Sequence, residues 1–383
     1  MLRSPTPANS VIGPQRALSV SNQTLRETVR VGSAGERLRL VLDNRFGDTP
    51  VTIDSVSIGR LAVGSTLSKD SLRQVLFGGK RQAVLAPGRQ LVSDAVNERV
   101  QAGEQLGVSL YVAGSAKVQT WHPDSRVMQF ISGQGDRTDA AAMNDADNVS
   151  GIAWLTRIDV ATTTPAKAVV ALGDSITNGY RSSAMTGWTD ILQDRLDVAK
   201  CSRPVLNAGI DGNQVAASRG TFGLGHAMDQ RVGHDVLDVP GVRYVFLLGG
   251  INDIGLSTID ARARHQPTPS AAALADPVIA AQKKIIAMAH AKGLLVFGGT
   301  VLPFEQTTRT YTAQGEAARE KINAWIRRSA GFDGVVDFDA FMRDPAHPER
   351  LKAAFNSGDD LHPSDAGYRA MAEHIPLKLF GCP

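Results

Sequence analysis

The chain has 383 residues, 43% hydrophobic and 21% charged, which is enough apolar material for two separate cores. Its 41 Lys+Arg and 38 Asp+Glu leave a formal charge of +3, and the two signs are interspersed with no basic block, which argues against a nucleic-acid partner. No apolar run approaches the ~18 residues of a membrane span, and two cysteines outside any Cys-x-x-Cys pattern with eight scattered histidines give no metal-ligand cluster, so no metal site is expected.

Residues 1–20 are rich in Pro, Ser and Asn and read as a flexible lead-in; Met1 to Pro7 lacks the apolar stretch of a secretory signal. Residues 21–164 carry a period of two. Leu38, Leu40 and Leu42 fall on one face of a strand, Asn44 to Asp48 reads as a turn, and Val51-Thr52-Ile53 starts the next strand. Further strands are predicted over 25–31, 81–85 and 107–112. Short strands at this spacing, punctuated by Gly, Pro and Asp, predict an all-β, jelly-roll-type sandwich that serves as an accessory domain. Residues 133–150 are polar and patternless and read as a long solvated loop. The spacing of Asp136, Asp139, Asp145 and Asp147 does not match a calcium-binding EF-hand loop.

From residue 165 to 383 strands alternate with helices. The pattern predicts strands over 168–172, 205–207, 242–248, 294–298 and 335–337, and helices over 187–197, 228–237, 276–292, 315–329 and 365–379. Five strands alternating with helices make a parallel sheet covered on both faces, and right-handed crossovers narrow it to a flavodoxin-like, three-layer α/β/α winding. The connections over 180–187, 211–227 and 255–272 are long for a compact domain and read as substrate-contact segments.

The apolar run Val169 to Leu172 ends abruptly in Gly173-Asp174-Ser175. A serine at the carboxyl end of a central parallel strand points into the crevice where open α/β sheets bind ligands, with its N–H near a helix start. All loops after parallel strands gather on one rim, so three further segments join this one. Asn207-Ala208-Gly209-Ile210-Asp211-Gly212-Asn213 has glycines that let backbone N–H groups face a ligand. Leu248-Gly249-Gly250-Ile251-Asn252-Asp253 offers a side-chain amide to an oxyanion. Asp359-Asp360-Leu361-His362 spaces a carboxylate to accept the imidazole Nδ1–H while Nε2 faces the serine.

The blocks Gly-Asp-Ser-Ile (173–176), Asn-Ala-Gly-Ile (207–210), Gly-Ile-Asn-Asp (250–253) and Asp-Asp-Leu-His-Pro (359–363) together resemble the GDSL, or SGNH, hydrolases over residues 165–380. Thr-Leu-Arg-Glu-Thr-Val-Arg-Val and Asp-Asn-Arg-Phe-Gly resemble the β-sandwich that precedes the catalytic domain in a bacterial and fungal subgroup. The resemblance implies Ser175 as nucleophile, His362 as general base then acid, and Asp359 as its orienter. It also implies an oxyanion hole formed by the Ser175 and Gly209 N–H groups and the Asn252 amide. Asp360 is the competing orienter, at two residues from His362 instead of three.

Asp174 and Asp253 read as supports, the first bracing the turn and the second the Asn252 loop. His226 and His234 read as surface residues, Trp188 as core more than pocket, and the Gly-rich run 220–225 as neither a phosphate loop nor a dinucleotide fingerprint. The expected function is a serine esterase acting on short-chain carboxylic esters through an acyl-enzyme, with no cofactor, and with acetylated carbohydrate as a possible substrate by analogy. A broad arylesterase, a lipase or an acyltransferase are the enzymatic alternatives, and a non-catalytic carbohydrate-binding protein is the alternative of another class.

Cys201 follows the first helix of the α/β domain and Cys382 the last, and in a flavodoxin-like winding both lie at the amino-end rim on one face. A Cys201–Cys382 disulfide is expected, against two free thiols, and with it a secreted or periplasmic location.

Overall fold

The computed structural model describes residues 18–183, 185–216, 224–328 and 330–383. Most of the expected lead-in, most of the Gly-rich run, and Ser329 at the end of one predicted helix therefore lie outside the described residues. The chain divides into two compact units, the first ending at Pro165 and the second beginning at Ala166.

The first unit is built of antiparallel β-strands. Its larger sheet runs Asp147–Ser150, Met128–Gln134, Ser19–Arg30, Gln105–Lys117, Ser55–Val63 and Thr66–Leu67, with Arg73–Val75 also on Ser55–Val63. The smaller runs Leu155–Ala161, Gly35–Asp43 and Gln90–Val92, with Val96–Val100 also on Gly35–Asp43. The alternation of the sequence decides the core: Leu38, Leu40 and Leu42 join Leu25, Val56, Ile58, Val108 and Leu110 in one buried cluster drawn from both sheets.

The segment 133–150 is corrected. Its ends are strand, with Met128–Gln134 pairing Asp147–Ser150, and the stretch between them, although Asp136, Asp139, Asn144 and Asp145 are exposed as a solvated loop would have them, is pinned to the body of the unit. The buried Arg26 guanidinium donates to the carbonyls of Arg137, Ala140 and Ala141 at 2.7–3.2 Å. Carbonyls without strand partners are satisfied by one cation, which a search for periodicity does not detect. Asp136 accepts from the Thr138 N–H and hydroxyl, and Asp145 from Arg137, so both carboxylates serve the loop itself.

The second unit is a five-stranded parallel sheet in the order Val205–Gly209, Ala168–Gly173, Val242–Leu248, Leu295–Gly299, Gly334–Val336, flanked by helices. This 2-1-3-4-5 order is the flavodoxin-like winding. The helices are α1 (Ser175–Asn178), α2 (Trp188–Val198), α3 (Met228–Val232), α4 (Ile251–Ala263), α5 (Ala271–Ala291), α6 (Ala313–Arg328), α7 (Phe338–Met342) and α8 (Asp365–His374). On one face of the sheet Val169, Ala171 and Phe246 pack with Trp188, Leu192, Tyr368, Met371 and Phe380. Trp188 is core, its ring 5.1 Å from that of Phe246.

Several boundaries differ from the sequence reading. The expected loop 255–272 is mostly helix: α4 runs to Ala263, and only seven residues separate it from α5. Gly255 lets the helix approach the Thr310 side chain, which a Cβ would meet at 3.2 Å. α4 is buried around much of its circumference, which erases the amphipathic period. α5 starts five residues before Asp276, capped by the Ser270 hydroxyl, and runs through Pro277. The stretch 228–237 is one α-helical segment continued by a π-turn over Gly233–Leu237. α8 stops at His374 because Pro376 has no N–H to continue it, and a 3₁₀ turn, Leu377–Phe380, follows. α7 went unread in the sequence.

At the far end of the sheet from the serine, Cys201 and Cys382 are joined by a disulfide with a Cα–Cα distance of 5.8 Å. Among the described residues, no helix is long and apolar enough to cross a membrane.

Candidate active site

Helix α1 begins at the serine itself, ahead of the first predicted helix over 187–197. Asp174 is its N-cap, accepting from the Ile176 N–H at 3.0 Å, and Gly179 closes it in a left-handed conformation at φ 89°. A first-turn N–H has no intrahelical acceptor, so the Ser175 N–H is available to something outside the helix. The glycine before the turn is sterically required: a Cβ at Gly173 would lie 2.1 Å from the Thr177 hydroxyl.

The Ser175 Oγ lies 2.9 Å from His362 Nε2, and His362 Nδ1 lies 2.8 Å from Asp359 Oδ2. Ser175 and His362 are both buried, which strengthens hydrogen bonds along the chain. The loop is built so that Asp359 is the residue that reaches the ring. Its Oδ1 accepts from the backbone N–H groups of Leu361 (3.1 Å) and His362 (2.8 Å) and from the Ser357 hydroxyl. Asp360 sits at φ 63° and accepts from the Asn356 amide instead. Burial pushes the Asp359 carboxyl up, but the His362 ring and backbone hydrogen bonds outweigh it and hold it well below the usual carboxylate range.

Two neighbours brace this pair. The Tyr180 ring sits 4.7 Å from the imidazole, and Arg181 Nε donates to Asp359 Oδ2 at 3.2 Å. The loop that carries them is fastened to α8: Tyr368 Oη donates to the Tyr180 carbonyl at 2.7 Å, and Asp365 accepts from Ser183 and Thr186. Those bonds to Ser183 and Thr186 lower the Asp365 pKa.

The Gly209 expectation is corrected. Its N–H donates to Asn207 Oδ1 at 2.9 Å, and a Cβ there would sit 2.2 Å from the Asn178 nitrogen. The glycine therefore serves the close approach of its strand to α1, and its N–H is already occupied. The other glycine of that loop, Gly212, has φ 72°. The Asn252 amide donates one hydrogen to the Asn213 carbonyl at 3.0 Å and keeps a second.

Asp253 is buried and supports a different segment from the one expected. Its oxygens accept from the Val215 and Ala216 N–H groups, both at 2.9 Å, and so hold the loop after the Val205–Gly209 strand. Asp174 is pushed up to about 7, first by burial and then by Asp253 and Asp211, against the Ile176 N–H bond. His226 and His234 are exposed. Sequence reasoning missed Arg231, a buried cation in α3 whose guanidinium reaches Gly173 and Asn213. An arginine in an amphipathic stretch reads as solvent-facing, and nothing local marks it otherwise. Among the described residues no group of three or more His, Cys, Asp or Glu could hold a metal ion.

Comparison with known proteins gives two kinds of match. The model of the GDSL-like Lipase/Acylhydrolase family matches residues 171–370. Solved structures similar to the chain include a GDSL-like lipase from Bacteroides thetaiotaomicron (19% identity, TM-score 0.40, 56% of this chain and 88% of that one). Another is a member of the lipolytic protein G-D-S-L family from Veillonella parvula (22%, 0.40, 56% and 99%). A third is a carbohydrate acetylesterase family member from Sinorhizobium meliloti (14%, 0.44, 56% and 99%). No curated protein matches the chain. Because the family model spans more than half of the sequence, from the strand that presents Ser175 to α8 behind His362, the chain belongs to the GDSL-like lipase/acylhydrolase family.

Proposed function

We propose that the protein is a serine esterase that hydrolyses short-chain carboxylic esters through an acyl-enzyme. The observation that carries this reading is the continuous contact from Ser175 Oγ through the imidazole to Asp359, at 2.9 and 2.8 Å. A serine hydroxyl is a weak nucleophile until a base removes its proton during attack. His362 Nε2 is in place to take it, while Asp359 fixes the tautomer and stabilises the imidazolium that forms.

Attack by Oγ on the ester carbonyl makes a tetrahedral oxyanion. The Ser175 N–H and the second Asn252 amide hydrogen are the donors assigned to it, and the Gly209 N–H, held by the Asn207 side chain, is not among them. On collapse His362 returns its proton to the departing alcohol. Water then attacks the acyl-Ser175 with His362 again as base, and as the bond to Oγ breaks His362 returns that proton to Oγ and the carboxylic acid leaves. Each step uses the chain's own residues.

The segments around the reacting groups are polar: Tyr180 to Ser183, Asp211 to Asn213, and Ser357 to Asp360. This favours a polar alcohol such as an acetylated carbohydrate over a lipid. The Cys201–Cys382 bond supports an oxidising, extracytoplasmic setting.

The test is acetate release from acetylated xylan and from a small aryl acetate, comparing wild type with Ser175→Ala. Serine-dependent release from both supports a carbohydrate deacetylase. Release from the aryl ester alone leaves a general esterase, and release that survives the substitution removes the mechanism.

A further inference from the structure

The buried Arg231 side chain makes three hydrogen bonds that converge from different parts of the site. Its Nη2 donates to the Gly173 carbonyl at 2.8 Å, two residues before Ser175. Its Nε donates to Asn213 Oδ1 at 3.0 Å, and its Nη1 to Asp235 Oδ2 at 2.8 Å. The Asn213 residue so held accepts from the Asn252 amide through its own carbonyl, and its side-chain NH₂ donates to the His226 carbonyl at 2.9 Å. One guanidinium thus fixes the turn that carries the nucleophile and the residue on which the Asn252 amide rests.

A guanidinium offers five donors in a rigid fork, so it transmits position between its acceptors more faithfully than a flexible ammonium. Arg231 and Asp235 are both buried, which means that this ion pair was desolvated on folding. An apolar pair of similar volume would commonly serve stability as well or better. The three-way connection gives the buried charge a use that stability does not.

We propose that Arg231 is a positioning residue for ester hydrolysis: through Gly173 and Asn213 it holds the Ser175 turn and the Asn252 amide in the relative placement that binds the oxyanion. The proposal rests on the esterase reading. Misplacing a group by about 1 Å can cost on the order of 100-fold in rate, so loss of this link shows in kcat while KM for a small ester stays nearly constant.

The test is a double-mutant cycle on the full chain. Removing the arginine alone leaves Asp235 buried and unpaired, so the variant is Arg231→Met with Asp235→Leu, and Arg231→Lys with Asp235 intact is the second. Active sites are counted in each preparation with a serine-reactive phosphonate, and kcat is expressed per labelled site for an aryl acetate. In the wild-type background the paired variant is expected to lower kcat roughly 10- to 100-fold, with Arg231→Lys intermediate. In an Asn252→Ala background the same change is expected to lower kcat by less than about threefold, because the amide it positions is gone.

Equal losses in the two backgrounds, or a loss confined to the number of labelled sites, would overturn the proposal and leave Arg231 a folding residue. Hydrolysis or labelling that survives Ser175→Ala would overturn the esterase reading and this proposal together, which separates the two failures.

Discussion

Replacing both Cys201 and Cys382 with serine opens a covalent loop whose ends are 181 residues apart. In the chain-entropy view a cross-link stabilises by restricting the unfolded chain, and for a loop of this length the restriction amounts to about 5 kcal/mol at 25 °C. The native state itself should change little. The Tyr244 hydroxyl and Arg203 Nε both donate to the Phe380 carbonyl, at 2.9 and 3.1 Å, and hold the C-terminal segment without the bond. Phe380 is fully buried against Tyr244 and Phe297.

The loss therefore belongs to the unfolded state and should appear as a lower urea midpoint for the second unit, with kcat at 25 °C unchanged. The assay is urea unfolding followed by esterase activity and by near-ultraviolet circular dichroism, on the double-serine variant and on wild type with and without reductant. A shift worth less than ~1 kcal/mol would refute the entropic reasoning. So would a drop in kcat at temperatures where the variant is fully folded, since the bond lies at the opposite end of the sheet from Ser175.

Further outcomes follow from three residues, Asp359, Asn252 and Glu27. Asp359→Asn is expected to lower kcat/KM by roughly 10³- to 10⁴-fold, because the amide no longer fixes the His362 tautomer; steady-state kinetics with a loss under tenfold would contradict it. Asp359 is held below its unfolded pKa, so it contributes stability that is present above about pH 4 and lost as pH falls further, and the Asn variant should lack that acid-side slope in urea titrations. Asn252→Ala is expected to lower kcat by about 10²- to 10³-fold with little change in KM, and a change confined to KM would remove it from oxyanion binding. Glu27, fully buried in the first unit, is raised from 4.5 to about 8, chiefly by burial, against hydrogen bonds from the Ala153 N–H and Gln129. The folded chain therefore keeps a proton that the unfolded chain has lost, and wild-type stability should fall by up to ~1.4 kcal/mol per pH unit between about pH 4.5 and 8. Glu27→Gln should flatten that slope, and unchanged pH dependence of the first unit's melting temperature would refute it.

Much of the site was legible because its chemistry is written in short local words. Asp359 and His362 sit three residues apart on one loop, and the strand rule alone brings that loop to the rim where Ser175 stands. Gly209 was misjudged for a reason no spacing reveals: the Asn207 side chain turns back onto its N–H, and the glycine answers a contact with Asn178 that exists only in the folded chain. Arg231 was invisible because its three acceptors come from residues 173, 213 and 235. α4 escaped because a helix buried on most sides has no amphipathic period to read. The order within the 133–150 stretch was not legible because it comes from Arg26, more than a hundred residues away in sequence.

The fastening of the Tyr180–Thr186 loop to α8 has a consequence for synthesis. Ser175 and its turn are made 187 residues ahead of the imidazole that faces them, and the anchors of their own loop, Asp365 and Tyr368, come later still. A chain interrupted between residues 175 and 362 has the serine without its imidazole partner, and one interrupted just after 362 has both beside an untethered loop. The site thus assembles only once α8 has been made and has docked.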